Sequence, residues 1–201
     1  MSIESAGNRR ARLDQESVLQ AAEALVDRDG YDALTMTSLA AELDTRVSSL
    51  YNHVANLEDL RAHIQVRAMR LLGEHVRTAA MGHAGADGLR ALSHELRAFA
   101  RKHPQRYAAL TRPPIDRDEF FAAALTAIEA LSVMVRSAGL PEERMLSTGT
   151  AVFAALHGFV SLEVAGYFGD LGPTGEQFNL DEVFELVIRG AVTAAVLEAT
   201  H

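Results

Sequence analysis

ALTMTSLAAELDTRVSSLYNHVANLEDL, residues 33–60, decides how this chain is read. Its apolar residues fall into two short helical sets. Thr35 offers an N-cap to the first, in which Met36, Leu39, Ala40 and Leu43 share a face. Asp44 and Thr45 break the pattern. A further helix starts near Val47, with Val47, Leu50, Val54 and Leu57 at helical spacing. Two short helices on a tight turn form a helix-turn-helix, which lays its second helix in the DNA major groove. Such a motif needs a small residue where the helices cross, and Ala40 stands there. It needs an apolar anchor in the second helix, which Leu50 supplies. It also needs a turn residue that tolerates a left-handed backbone, and Asp44 takes the place where glycine is usual.

Charge is distributed to suit this reading. The formal net charge is −8, which argues against a nucleic-acid partner if taken as a sum. Yet Thr45 to Leu57 holds Arg46 and no carboxylate, and Arg9, Arg10 and Arg12 stand together near the start. Acidic residues gather at Asp27, Asp29 and Asp32 and through the second half. Cysteine is absent, which excludes a disulfide framework and a thiolate metal site. The N-terminus lacks the apolar core of a signal peptide, and no uninterrupted apolar run reaches membrane-spanning length. The expectation is a cytoplasmic protein with no membrane segment.

Organisation outward from the motif is helical almost throughout, so the expected fold class is all-α. Val18, Ala22, Leu25 and Val26 define a first helix ending at Gly30. A long helix runs from Leu57 to about Met81, capped by Asn56. Beyond the loop GHAGADG a helix is expected from about Leu89 to His103, and Pro104 opens a short one around Tyr107. Further helices are expected over about Asp116–Ala138, Pro141–Phe168 and Asp181–Ala199. The expected division is a flexible basic arm over 1–12, a helix-turn-helix domain over 13–60 and a larger helical domain over 61–201.

Residues 13–60 resemble the DNA-binding domain of the TetR family of one-component transcriptional regulators. The resemblance rests on the stretch quoted above, above all on Leu50-Tyr51-x-His53-Val54 followed by Asn56-Leu57-Glu58-Asp59-Leu60. ALHGFVSLEVAGYF, residues 155–168, is further similar to the His-Gly motif of one TetR C-terminal subfamily. The resemblance implies that Tyr51 and His53 bond DNA phosphates, fixing register without reading sequence. Arg46, Val47, Ser48, Ser49 and Asn52 would reach base edges or nearby phosphates. Thr35 and Thr37 would flank another phosphate at the start of the first of the two helices. This chain departs from the family in carrying Leu57 where many members have lysine, Asp44 for the turn glycine, and Thr45 for an apolar residue.

The resemblance also implies a small-molecule effector and a double-stranded DNA operator read by a homodimer formed through the two C-terminal helices. The default reading is a repressor released by its ligand. Small residues Gly158, Ser161, Ala165 and Gly166, and the stripe Phe184, Val187, Ile188, Ala191 and Ala195, are compatible with that interface or with burial inside one subunit. Phe99, His103, Tyr107, Phe120, Phe121, Met134 and His157 are the candidate ligand-lining residues, although aromatics and methionine at helical spacing are usually core. Nothing suggests an enzyme, a metal site or a cofactor. The eight histidines are scattered without a His-Glu-x-x-His pair, and His94-Glu95 reads as a solvated dipeptide. The alternative reading is a helical ligand- or protein-binding dimer with weakened DNA binding.

Overall fold

The computed structural model describes residues 13–169 and 179–197, with side chains of the last helix described to Thr193; the basic arm, the side chain of Ala195 and residues 198–199 lie outside what is described. Every regular element among the described residues is helical. The chain divides into two compact units, Met1–Leu60 and Arg61–His201.

In the first unit α1, Gln15–Asp29, is started by a reciprocal capping box between Asp14 and Ser17 and stopped at Gly30, whose φ is +96°. Val18, Ala22, Leu25 and Val26 face inward, and one 3-10 turn, Tyr31–Ala33, comes next. α2, Met36–Glu42, begins in a second capping box between Thr35 and Ser38. α3, Val47–Leu50, is a single turn prolonged by turns through His53, whose N–H bonds Leu50 at 2.9 Å. Leu34, Leu39 and Leu50 are fully buried and tie the three helices together. Val54 is buried too, whereas Val47 and Leu57 are half-buried.

α4, Leu57–Ala80, starts at Asn56, whose Oδ1 accepts from the Asp59 N–H at 2.9 Å while Asp59 accepts from the Ala55 N–H at 2.7 Å. The body of the second unit is built from α4 with α5 (Gly85–Lys102), α6 (Pro104–Leu110), α7 (Arg117–Ser137), α8 (Glu142–Val164) and α9 (Leu180–Leu197). α5 starts four residues before the expected Leu89. The expected loop is absorbed because the Gly85 N–H donates to Ser137 Oγ at 2.7 Å, and because Gly88 lies where an added Cβ would strike Met134. Tertiary contact here overrides a weak local preference. α8 stops short of the expected Phe168, since Gly166 takes φ +74° and Gly166 and Tyr167 bond back to Glu163 and Leu162.

The core of this unit gathers Leu89, Leu96, Phe99, Tyr107, Val152, Phe159, Phe184 and Ile188. Contrary to the sequence expectation, α7 and α8 are each apolar and long enough by composition to cross a membrane. Each sets one face in this core, the other setting that produces such a composition.

Candidate nucleic-acid interface

Two backbone hydrogen bonds close the turn between α2 and α3 and leave the start of α3 facing solvent. Asp44 N–H bonds the Ala41 carbonyl at 3.2 Å and Thr45 N–H the Ala40 carbonyl at 2.9 Å. This is the paired closure of a Schellman motif, with Asp44 at the left-handed position. Its φ of +46° is the one positive value among described non-glycine residues. Aspartate therefore fills the position of the usual glycine, as the turn geometry requires. Ala40 is buried at the α2–α3 crossing, and its lack of bulk permits the approach.

The side chains singled out in the sequence divide by exposure. Thr37, Arg46, Ser48, Tyr51 and Asn52 are exposed, while Val47, Ser49 and His53 are half-buried at the edge of the same surface. Tyr51 keeps 52 % of its surface in solvent, so its ring is not consumed by packing. Thr35 is exposed but its Oγ1 already accepts from the Ser38 N–H at 3.0 Å, satisfying one of the amides expected to meet a phosphate. The nearest clear charge relation is between His53 and Asp14. The Asp14 carboxyl is held below its ordinary range mainly by bonds from Ser17, with the His53 charge contributing. Arg28 is bound elsewhere, to Asp29 at 2.8 Å and Glu42 at 3.0 Å on the surface.

In the second unit the seven candidate ligand-lining residues do not form one site. Phe99, Tyr107 and Met134 are buried in the core, Phe121 is largely exposed, and Phe120 is partly buried against the core. They meet in pairs instead: the Tyr107 hydroxyl and His157 Nδ1 are 2.7 Å apart, with the Phe153 ring stacked on the imidazole, and the Phe120 and Phe121 ring centres are 6.0 Å apart. Burial pushes the Tyr107 phenol up and His157 down. Both groups are therefore neutral near pH 7 and share one hydrogen bond, with the Ser161 hydroxyl a second neighbour of the phenol. His103 lies against Phe99, ring centres 5.2 Å apart.

A different groove, about 820 Å³, opens between α5 and α9 and contains none of the seven. Its floor is an ion network no local motif announced. Arg97, 7 % exposed at its side chain, grips Glu163 through two bonds of 2.7 and 2.8 Å and reaches Asp181 at 2.8 Å, while its guanidinium lies 4.7 Å from the Phe184 ring centre. The expected solvated pair His94 and Glu95 is also engaged, His94 with Glu185 at 2.9 Å and Glu95 with His75 at 2.7 Å. The apolar stripe on α9, open in the sequence between an interface and the subunit's own core, goes in part to the core. Phe184 and Ile188 are fully buried and Ala191 is buried, all in their own subunit's core.

A capped helix, a left-handed turn and a short second helix with exposed residues and no carboxylate, set before a helical body, make a helix-turn-helix protein. Residues 89–191 match the family model for the tetracyclin repressor-like C-terminal domain. An HTH-type transcriptional regulator of Mycobacterium tuberculosis is 36% identical over 184 residues, covering 90% of this chain and 81% of that protein. The HTH-type transcriptional repressor DrrR1 of Streptomyces coeruleorubidus is 27% identical over 136 residues, 67% of this chain and 48% of that protein. Among solved structures, the Streptomyces coelicolor TetR family protein ActR in complex with (S)-DNPA superposes with TM-score 0.65 at 22% identity, over 94% of this chain and 100% of that one. The chain belongs to the TetR family of helix-turn-helix transcriptional regulators. Regulators of this family bind DNA and small-molecule effectors as dimers.

Proposed function

We propose that this chain is a cytoplasmic, ligand-released repressor that reads a near-palindromic operator as a homodimer. The observation that carries the reading is the shared exposure of Arg46, Ser48, Tyr51 and Asn52 on a segment without carboxylates. Arg46 and Ser48, with Val47 and Ser49 beside them, face base edges; Tyr51, His53 and Thr37 hold phosphates, and Thr35 orders the end of α2 nearest to them. One recognition helix covers too few base pairs to select a site, so two copies act together. The α8 face bearing Ala151, Ala154, Ala155 and Gly158, with the exposed Leu186 and Gly190 of α9, supplies the dimer contact.

The effector is drawn to the polar point made by Tyr107 and His157, whose hydroxyl and imidazole offer hydrogen-bonding groups beside the stacked Phe153 ring. Gln65, 1 % exposed on α4, supports the coupling of that region to the helix. Its amide donates to the Ala109 carbonyl at 3.1 Å and the Pro113 carbonyl at 3.3 Å, and accepts from the Ile115 N–H at 3.0 Å. A ligand favouring another placement of α6 acts through α4, provided it binds the two states unequally. Leu57, where many family members carry lysine, favours the second reading, a ligand- or protein-binding dimer with weakened DNA affinity.

Selection on randomised duplexes at near-physiological salt separates the two. Enrichment of a two-fold-symmetric site is the expected result. No enrichment from a folded, effector-free protein leaves the second reading standing.

A further inference from the structure

α7 presents a seam that the core leaves uncovered. Asp118, Phe121, Leu125, Ile128 and Ser132 succeed one another at intervals of three and four residues, the spacing of a helix-on-helix contact. Phe121 is 48 % exposed, Leu125 54 % and Ile128 47 %, and Val133 beside them is 51 % exposed. Only 28% of the most apolar stretch of α7 is buried. A strip of large aliphatic and aromatic side chains in water marks an interaction surface.

The seam is complementary to itself when reversed. In an antiparallel pair centred between Thr126 and Ala127, Leu125 of each copy falls opposite Ile128 of the other. The bulky Phe121 then falls opposite the small Ser132. At the two ends Asp118 and Arg136 stand at nearly equal distances from the centre, so the acid of each copy lies level with the base of the other. These matches give a two-fold contact in which residue i meets j and j meets i. Arg136 is available to it, since its ion pair among the described residues is a surface one with Glu142 at 3.4 Å. Asp118, Glu129 and Arg136 beside the strip disfavour burial in lipid, and it has no basic cluster to suit nucleic acid. We propose that α7 packs antiparallel against α7 of a second copy of this chain. The contact is separate from the α8 and α9 contact proposed above, and where both form the copies assemble beyond a dimer.

The natural chain has no cysteine, so single-cysteine variants report contacts cleanly. Leu125→Cys reads the α7 seam and Gly158→Cys the α8 face, each treated with a short bismaleimide at low protein concentration after a thermal melt has verified folding. Covalent two-chain product from Leu125→Cys is expected, and it should disappear when Ile128→Glu is added. Product from both single variants, with a sedimentation mass above two chains, supports both contacts. Product from Leu125→Cys alone supports the seam and removes the α8 and α9 reading. Product from Gly158→Cys alone, or from neither, overturns the seam. Flotation with neutral phosphatidylcholine vesicles that Leu125→Glu abolishes also overturns it, in favour of a membrane.

Discussion

Tyr51 and Arg46 stand five residues apart on the exposed surface, and they are expected to fail differently when changed. On the proposed reading, removing the tyrosine hydroxyl deletes a phosphate contact, worth about 0.5–1.5 kcal/mol. Tyr51→Phe should therefore weaken every operator variant by a similar factor and leave the melting temperature unchanged. Arg46→Ala removes the side chain proposed to read base edges, and about 1–3 kcal/mol of discrimination goes with a lost bidentate pair. Titration of both variants against a panel of single-base operator changes separates positioning from reading. A base-selective loss from Tyr51→Phe would reverse the assignment. Thr35, which caps its own helix, was legible as a cap in the sequence. The electrostatic influence of His53 on Asp14 was not, because 39 positions separate them and no local pattern encodes it.

At the scale of the element, what the sequence revealed was whatever local chemistry decides. The N-caps Thr35 and Asn56, the stop at Gly30 and the left-handed turn at Asp44 depend on neighbours within a few residues, and each was readable. The early start of α5 was not readable. GHAGADG carries loop residues, and the bond from Gly85 to Ser137, 52 positions away, turns its latter half into helix. The α9 stripe shows the other limit. Periodicity identifies an apolar face but not its partner, and Phe184 and Ile188 went to their own core. A further uncovered face lies on α7, whose alanine-rich sequence gave no cue to which of its apolar residues stay outside.

Across the helical body, the Arg97–Glu163 pair joins α5 to α8 and reaches α9 through Asp181. Burial alone would raise the Glu163 carboxyl, but the bonds from Arg97 and Arg101 outweigh it and hold it below its ordinary 4.5. The unfolded chain consequently takes up this proton first as pH falls, and stability is lost below about that value. His157, pushed below 6.5 by burial, adds an earlier loss in the same direction, since the unfolded imidazole binds a proton that the folded one refuses. Thermal melts from pH 7 downward should show both limbs. His157→Asn should flatten the first, and Glu163→Gln the second, the latter at a cost of about 3 kcal/mol near neutrality because Arg97 loses its closest partner. Melting temperatures that do not fall on acidification would contradict the account.

The central claim is that residues 35–53 meet DNA. Hydrogen–deuterium exchange of the protein with and without the duplex enriched by selection tests it most directly. The account predicts slowed exchange over α2, the Asp44 turn and α3 through His53. Protection confined to the helical body, with residues 35–53 unchanged at saturating duplex, would contradict it.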